Sequence, residues 1–328
     1  MTLSPRVLVL AGGLSHERDV SLRSGRRVSE ALRDAGCQVV ERDVDAGLLD
    51  AVRASQVDVV WPLLHGVTGE DGAIRDVLDL VGVPYVGSTP EACRSAWDKP
   101  VAKAVARAAG LRTPESVALP HGTFRELGAQ AVLAAIVERL GLPLVVKPAR
   151  GGSALGVNVV REASHLPRAM VDCFAYGDVA LVERCIEGVE VAVSVIDTGS
   201  GPVALPAVEI VADGGMYDYN ARYTAGATEF FVPARLTVEV AAAAAEMALT
   251  AHRAFGLRHL SRTDLIVDRD GHSWFLEVNV APGMTETSLL PQAAEAAGED
   301  HGILYRRLVE VAATRGLAVD AAGSPAAP

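Results

Sequence analysis

Arg262-Thr263-Asp264 and Glu277-Val278-Asn279 supply two carboxylates, an amide and a guanidinium, and Ala281-Pro282-Gly283 follows directly. Between them, Asp268-Arg269-Asp270-Gly271 is flanked by apolar, β-rich residues, which is the signature of a hairpin. With Asp270-Gly271 as a two-residue turn, Arg269 pairs with His272. Asp264 then stands opposite Glu277, and Arg262 opposite Asn279. Alternate residues of a strand share a face, so the four side chains gather in one patch. Two carboxylates and an amide oxygen are hard donors, suited to a Mg²⁺ ion that also carries substrate phosphates. A surface hairpin with charges on its solvent face is the plain alternative. It explains a lone pair of acids better than it explains this set ending in Pro-Gly.

A second group runs Lys147-Pro148-Ala149-Arg150-Gly151-Gly152-Ser153-Ala154-Leu155-Gly156. A lysine closes an apolar strand and a glycine loop follows, so backbone amides can fold over phosphates while the lysine adds a point charge. No Gly-Lys-[Ser/Thr] precedes a helix, so this is not a Walker A loop. Glu183 and Glu190 flank the next strand connection, where acids can read adenine or ribose donors; in isolation each is a surface glutamate. Near the N-terminus, Gly12-Gly13-Leu14-Ser15-His16-Glu17 lacks the third glycine of a dinucleotide fingerprint. It serves better to set Glu17 at a strand-end loop facing a small cationic group, although a first-turn acid also favours a helix dipole. His65 opens a glycine-rich loop, His65-Gly66-Val67-Thr68-Gly69-Glu70-Asp71-Gly72. Tyr217-Asp218-Tyr219-Asn220-Ala221-Arg222-Tyr223 offers polar-tipped aromatics and one cation, which can neutralise a phosphate and close over a substrate.

These residues need elements to position them. Residues 6–90 alternate strand and helix: strands at Val7–Leu10, Gln38–Arg42, Val57–Pro62 and Pro84–Val86, helices at Val20–Ala35 and Ala73–Leu80. That alternation implies a parallel sheet with ligand loops at the strands' C-terminal ends. Helices at 98–110 and Ala129–Leu140 precede antiparallel strands at Leu144–Lys147, Gly156–Val160, Ala180–Arg184 and Val189–Ile196, with one more strand over 203–210. Residues 211–233 read as a long irregular loop, and loops of that length are usually functional or disordered. Helices over Ala241–Phe255 and Ile303–Arg315 frame the opening hairpin. A disordered tail is expected from about residue 317.

The chain has 328 residues, half of them hydrophobic, and a formal net charge of −11 with no basic run. That argues against nucleic-acid or anionic-membrane binding as the main task. No apolar stretch reaches the length of a membrane span, and the N-terminal apolar run is too short for a signal peptide. A cytoplasmic protein is expected. Cys37, Cys93, Cys173 and Cys185 show no metal or disulfide spacing and read as reduced thiols.

Taken in order, the motifs resemble those of the D-alanine–D-alanine ligases of the ATP-grasp superfamily, over residues 6–315. They are the Gly12–Ser21 segment, His65–Gly72, Asp98-Lys99, Val146-Lys147-Pro148, Tyr217-Asp218-Tyr219, Arg262-Thr263-Asp264, and Glu277 through Thr285. The resemblance implies an α/β and α+β fold of three domains: a Rossmann-like domain over 1–96, a central ATP-grasp subdomain over 97–188 with the glycine-rich lid loop, and a C-terminal subdomain over 189–316 with an omega loop at 211–233 and the metal hairpin.

It further implies that Lys99, Lys147 and Arg222 contact ATP phosphates, Ser153 sits in the lid, and Glu183 and Glu190 hold adenine and ribose. Asp264, Glu277 and Asn279 bind two Mg²⁺ ions, or Mn²⁺ in their place. Glu17 holds the first D-alanine's ammonium with His65 nearby. Arg262 and the Gly283 amide stabilise the oxyanion, and Ser288 with Leu289 holds the second carboxylate. Tyr223 links the closing loop to Glu17 and Ser153, and its presence favours a dipeptide over a depsipeptide product. A homodimer is expected. The chain departs from the family pattern at Arg222 (usually Lys), at Gly151 and Ala154 of the lid loop (usually Glu and Ser), and at Trp97 (usually Met). The alternatives are a related ATP-grasp ligase using another D-amino or D-hydroxy acid, and a non-catalytic nucleotide-binding paralogue. The second predicts damage to the metal set, which is intact in this sequence.

Overall fold

Val7, Leu8, Val9 and Leu10 are all buried, with no polar alternation, as a strand covered on both faces requires. The computed structural model describes residues 4–54, 56–213 and 226–322. In it, β1 (Arg6–Leu10) lies between β2 (Gln38–Arg42) and β3 (Val59–Pro62), all parallel. Helix α1 (Arg18–Asp34) covers one face, where Val7 and Val9 meet Val28 and Leu32. The opposite face carries α2 (Leu48–Ala54), the short α3 (Val67–Glu70) and α4 (Ala73–Leu80), with Leu8 and Leu10 against Val52 and Leu78. Pro84–Val86 contributes only a single bridge, Val60 to Tyr85, instead of the short strand expected.

Two helices follow: α5 (Pro90–Trp97), which the sequence reading did not expect, and α6 (Lys99–Ala108), where a helix was expected over 98–110. Asp98 ends one and caps the next, its carboxylate accepting from Val101 N at 3.2 Å. The second sheet runs β4 (Ser116–Pro120), β7 (Val179–Arg184), β5 (Leu144–Pro148), β6 (Asn158–Val160), all antiparallel. One face packs on α8 (Ala129–Leu140) and α9 (Leu166–Phe174), beside α7 (His121–Leu127). β4 and α9 escaped the sequence reading, the first because its outward positions are exposed and the second because Pro167 interrupts its start.

The third sheet is antiparallel along β11 (Thr228–Phe231), β10 (Val208–Ala212), β8 (Gly188–Ile196), β12 (Leu260–Asp268) and β13 (Ser273–Asn279), with β9 (Val203–Ala204) on β8. The single strand expected over 203–210 is thus two, separated at Leu205–Ala207. The stretch 211–233 is not irregular throughout, since it contains β11 and the end of β10. Tyr217 through Tyr223, including Arg222, lie outside the described residues.

Helix α10 (Val238–Ala254) packs Ala244 and Ala248 onto Val191, Val193 and Leu265. The other face of β8 joins α11 (Leu289–Ala296), α12 (His301–Ala322) and the first sheet in one core that includes Val9, Trp61, Ala192, Leu290, Leu304 and Tyr305. The first and third sheets therefore share a core, while the second has its own. α12 continues to Ala322, past the break expected near residue 317, because the Ala-rich sequence Leu317–Ala322 sustains a helix. All four cysteines are free thiols. Among the described residues no helix is long and apolar enough to cross a membrane.

Candidate active site

The hairpin delivers its four side chains by a route the sequence reading missed. Near the turn, Val267 pairs with Ser273 and Asp268 N donates to His272 O, so the turn holds three residues, Arg269 to Gly271, with Gly271 at φ +80°. Asp268 Oδ1 fastens it by accepting from Asp270 N and His272 N. This shifts the register by one from the expected two-residue turn. A bulge at Leu276 then shifts it back: Leu265 pairs with Phe275, yet Asp264 pairs with Glu277 and Arg262 with Asn279. The extra residue also lets Phe275 and Val278 both enter the core, leaving Glu277 on the opposite face.

On that face Arg262 grips Asp264 with two hydrogen bonds, 2.7 and 2.8 Å, a bidentate pair almost wholly buried. Glu277 lies 3.4 Å from Lys99 Nζ, which also donates to Gly151 O at 2.7 Å. Asn279 Oδ1 accepts from Ala281 N at 2.7 Å, which turns the chain toward Pro282. Asp264, Glu277 and Asn279 are a hard-oxygen set on one sheet face and fit a divalent cation such as Mg²⁺. Both carboxylates already have protein cations as counter-ions.

Glu17 ends the loop after β1. Gly13 N donates to Asp43 Oδ1, and Asp43 pairs with Arg18 at 2.7 Å, so the loop is pinned to β2's end. Ser153 Oγ donates to Glu17 Oε1 at 2.5 Å, tying the glycine loop of the second sheet to the first. Glycines hem in this carboxylate: a Cβ on Gly66 or Gly152 would stand 3.5 Å from Glu17 Oε2. His65 is buried, and its Nδ1 lies 3.1 Å from Ala281 O. A carbonyl only accepts, so Nδ1 carries the proton and Nε2, which has no partner among the described residues, is left as an acceptor. Burial pushes the His65 pKa down, which keeps the ring neutral.

Sequence reasoning passed over Glu70. It is buried, accepts from Gly66 N at 2.9 Å, and is pushed up to about 8, by burial first and then by the charge of Glu17. It also passed over Lys103, one helical turn beyond Lys99. Lys103 Nζ lies 2.7 Å from Glu183, and Lys147 lies 2.5 Å from that same carboxylate. Burial pushes Lys103 down to about 8 against the pull of Glu183. For Lys147, burial is outweighed by Glu183 and Glu277, and its pKa lies above the usual lysine value. For Glu183 the two ammonium groups outweigh burial and hold it ionised. The i, i+4 spacing of Lys99 and Lys103 was the available signal.

At the remaining edge, a Cβ on Gly283 would stand 2.7 Å from Ser288 Oγ, so any side chain there would have to displace that hydroxyl. Ser288 Oγ accepts from Thr285 N at 2.9 Å and meets Thr285 Oγ1 at 2.8 Å, just before Leu289 begins α11. One cleft with about 150 Å³ of open space gathers Glu17, His65, Lys99, Ser153, Arg262, Glu277, Asn279, Gly283, Ser288 and Leu289. Gly151 and Trp97 line it too, as do Glu70, Arg23, Thr285 and Thr287, which sequence reasoning did not select. Asp264 is buried against Arg262 and does not itself line the cleft. Lys147 and Glu183 sit on the second sheet outside this space, and Glu190 sits on β8 opposite Ile266, on the same sheet face as Asp264. Arg222 and Tyr223 fall outside the described residues.

The chain is similar to known proteins over nearly its whole length. The family models described as D-ala D-ala ligase N-terminus and D-ala D-ala ligase C-terminus match residues 46–88 and 105–310. The chain is 41% identical over 310 residues to the D-alanine--D-alanine ligase of Bordetella petrii, covering 94% of this chain and 93% of that one. It is 42% identical over 310 residues to the same-named protein of Anaeromyxobacter sp. strain K, covering 94% and 97%. Among solved structures, the D-alanine--D-alanine ligase of Bacillus anthracis complexed with ATP superposes with a TM-score of 0.79 at 29% identity, over 97% of this chain and 99% of that one. The VanG D-Ala:D-Ser ligase of Enterococcus faecalis superposes with a TM-score of 0.81 at 26% identity, over 94% and 99%.

Proposed function

This chain belongs to the D-alanine–D-alanine ligase family and has its ATP-grasp fold, and from that premise we infer that it joins two D-alanines into D-alanyl-D-alanine with cleavage of ATP to ADP and phosphate. The product serves peptidoglycan precursor synthesis in a cytoplasmic setting, and the enzyme works as a homodimer. The three-domain division at 96/97 and 188/189 follows the same reading. The observation that carries the mechanism is the convergence of Glu17, Ser153, Arg262, Gly283 and Ser288 on one small cleft.

The donor D-alanine places its ammonium against Glu17 and the Nε2 lone pair of His65. Its carboxylate then attacks the γ-phosphorus of ATP, ADP leaves, and a D-alanyl phosphate forms. Lys99 and Lys147 balance the phosphates, with Arg222 from the omega loop, while Glu183 and Glu190 receive adenine and ribose. Asp264, Glu277 and Asn279 would hold Mg²⁺, two ions or Mn²⁺ in their place, which supplies charge neutralisation to the transferred phosphoryl group. The acceptor's amine attacks the acyl carbon and gives up a proton. The oxyanion that develops is met by Arg262 and the Gly283 amide, and phosphate departs as the peptide bond closes. Ser288 and the Leu289 amide hold the acceptor's carboxylate. Ser153, bonded to Glu17, closes the glycine loop over the reacting atoms, and Tyr223 extends that link.

The test is phosphate release from ATP with a panel of D-amino and D-hydroxy acids. D-Alanine alone is expected to support turnover and to give the dipeptide by mass. Turnover that requires D-serine or D-lactate as acceptor would move the chain to the alternative ligases, and no release with D-alanine in any pairing would sink the reading.

A further inference from the structure

Helix α1 lays one stripe of side chains along the cleft. Glu17, Val20 and Arg23 line it, and the next turn holds the loop that closes the acceptor end: Ser24 Oγ accepts from Met284 N at 3.1 Å, and Arg27 pairs with Glu286 at 3.6 Å. Val20 lies 3.9 Å from where a Cβ on Gly283 would stand, so the stripe runs beside Gly283 and Ser288. Helical side chains lean toward the N-terminus, which aims Arg23 back over Val20 and into the cleft. The other cleft cations have partners, Lys99 with Glu277 and Arg262 with Asp264. Among the described residues Arg23 has no hydrogen-bond or ion-pair partner.

We propose that Arg23 is a specificity-determining residue that binds the carboxylate of the acceptor amino acid. The inference rests on the ligase reading and adds to it a charge for a group that reading otherwise gives only to the Ser288 hydroxyl and the Leu289 amide. Glu17 and Arg23 are six residues apart, about 9 Å of helix rise. The ammonium and carboxylate of a dipeptide lie about 7 Å apart, a span that two flexible side chains mounted that far apart on one helix can reach. One element thus carries the anion for the donor's cation and the cation for the acceptor's anion.

The test uses the full chain and the variants Arg23→Gln and Arg23→Lys, with D-alanine saturation curves that separate the donor constant from the acceptor constant. Arg23 is exposed at the rim of the cleft, and loss of one charge-assisted hydrogen bond there predicts an acceptor KM up to about tenfold higher in Arg23→Gln. The donor KM, ATP KM and kcat should stay within about twofold. Arg23→Lys should recover most of the loss. D-Alaninamide, which lacks the carboxylate charge, should be a poor acceptor for the wild type, and its disadvantage against D-alanine should shrink in Arg23→Gln. An unchanged acceptor KM, or a parallel loss in both D-alanine constants and kcat, would overturn the proposal. Wild-type protein that releases no phosphate with D-alanine would instead overturn the ligase reading beneath it.

Discussion

Glu70 shows how a single residue's surroundings fix its protonation. It is buried at the edge of the cleft beside Gly66, where the charge of Glu17 adds to burial in disfavouring its ionised form. The folded protein therefore keeps Glu70 protonated up to about pH 8, whereas the unfolded chain releases that proton near pH 4.5. The folded state binds more protons between those values, so this group's contribution to stability falls as pH rises from about 4.5 toward 8. The penalty accumulates to about 5 kcal/mol at most, from about 1.4 kcal/mol per pH unit. Glu70→Gln keeps the shape without the ionisation. Denaturation midpoints measured from pH 5 to pH 8.5 should decline less steeply for Glu70→Gln than for wild type. Parallel curves would show that Glu70 ionises freely in the fold.

The hairpin is the element that shows what the sequence made legible. Its existence, its two strands and the opposition of Asp264 to Glu277 follow from residue types and spacing alone. The turn does not, because Asp270-Gly271 suits both a two-residue turn and a three-residue turn closed by glycine in the left-handed region. The bulge at Leu276 was also hidden, since a bulge is a choice between packing Phe275 and packing Leu276 that only the facing helices decide. Two one-residue shifts cancelled, and the pairings of Asp264 with Glu277 and of Arg262 with Asn279 were reached through a register that holds for only half the ladder. Lys103 and Glu70 were illegible for another reason: their roles depend on burial against Glu183 and Glu17, partners distant in sequence. Gly271 tests the turn. Its φ of +80° strains any side chain, and a Cβ would stand 3.0 Å from Val240 Cγ2. Gly271→Ala should destabilise the protein by about 1–2 kcal/mol, with the KM for ATP unchanged because the turn lies at the far end from Asp264. An unaltered unfolding curve would contradict the three-residue turn.

At the scale of the whole molecule, the first and third sheets share one core and the second stands on its own, so the glycine loop is carried by a separately packed body. Polar contacts tie that body to the rest at the cleft: Ser153 to Glu17, Lys99 N to Ala149 O at 2.9 Å, and Lys99 Nζ to Gly151 O. Lys99 therefore holds the second body with its Gly151 contact and the proposed metal face with its Glu277 contact. A divalent cation arriving alone must compete with that ammonium for Glu277. Phosphates that draw Lys99 away remove the competitor, and a cation on Glu277 in turn releases Lys99 for phosphate. Binding of cation and nucleotide should thus be mutually reinforcing, by the same factor in both directions. Replacing Lys99 by Met removes the competing charge. In the absence of nucleotide, Mn²⁺ binding followed by electron paramagnetic resonance should then tighten about threefold to tenfold relative to wild type, as expected for losing a part-buried like charge near the ion. ADP binding should weaken, and the enhancement of each by the other should largely disappear. If Lys99→Met binds Mn²⁺ no better than wild type without nucleotide, the Lys99–Glu277 pair does not guard the metal face, and the coupling must run through the closure of the glycine loop instead.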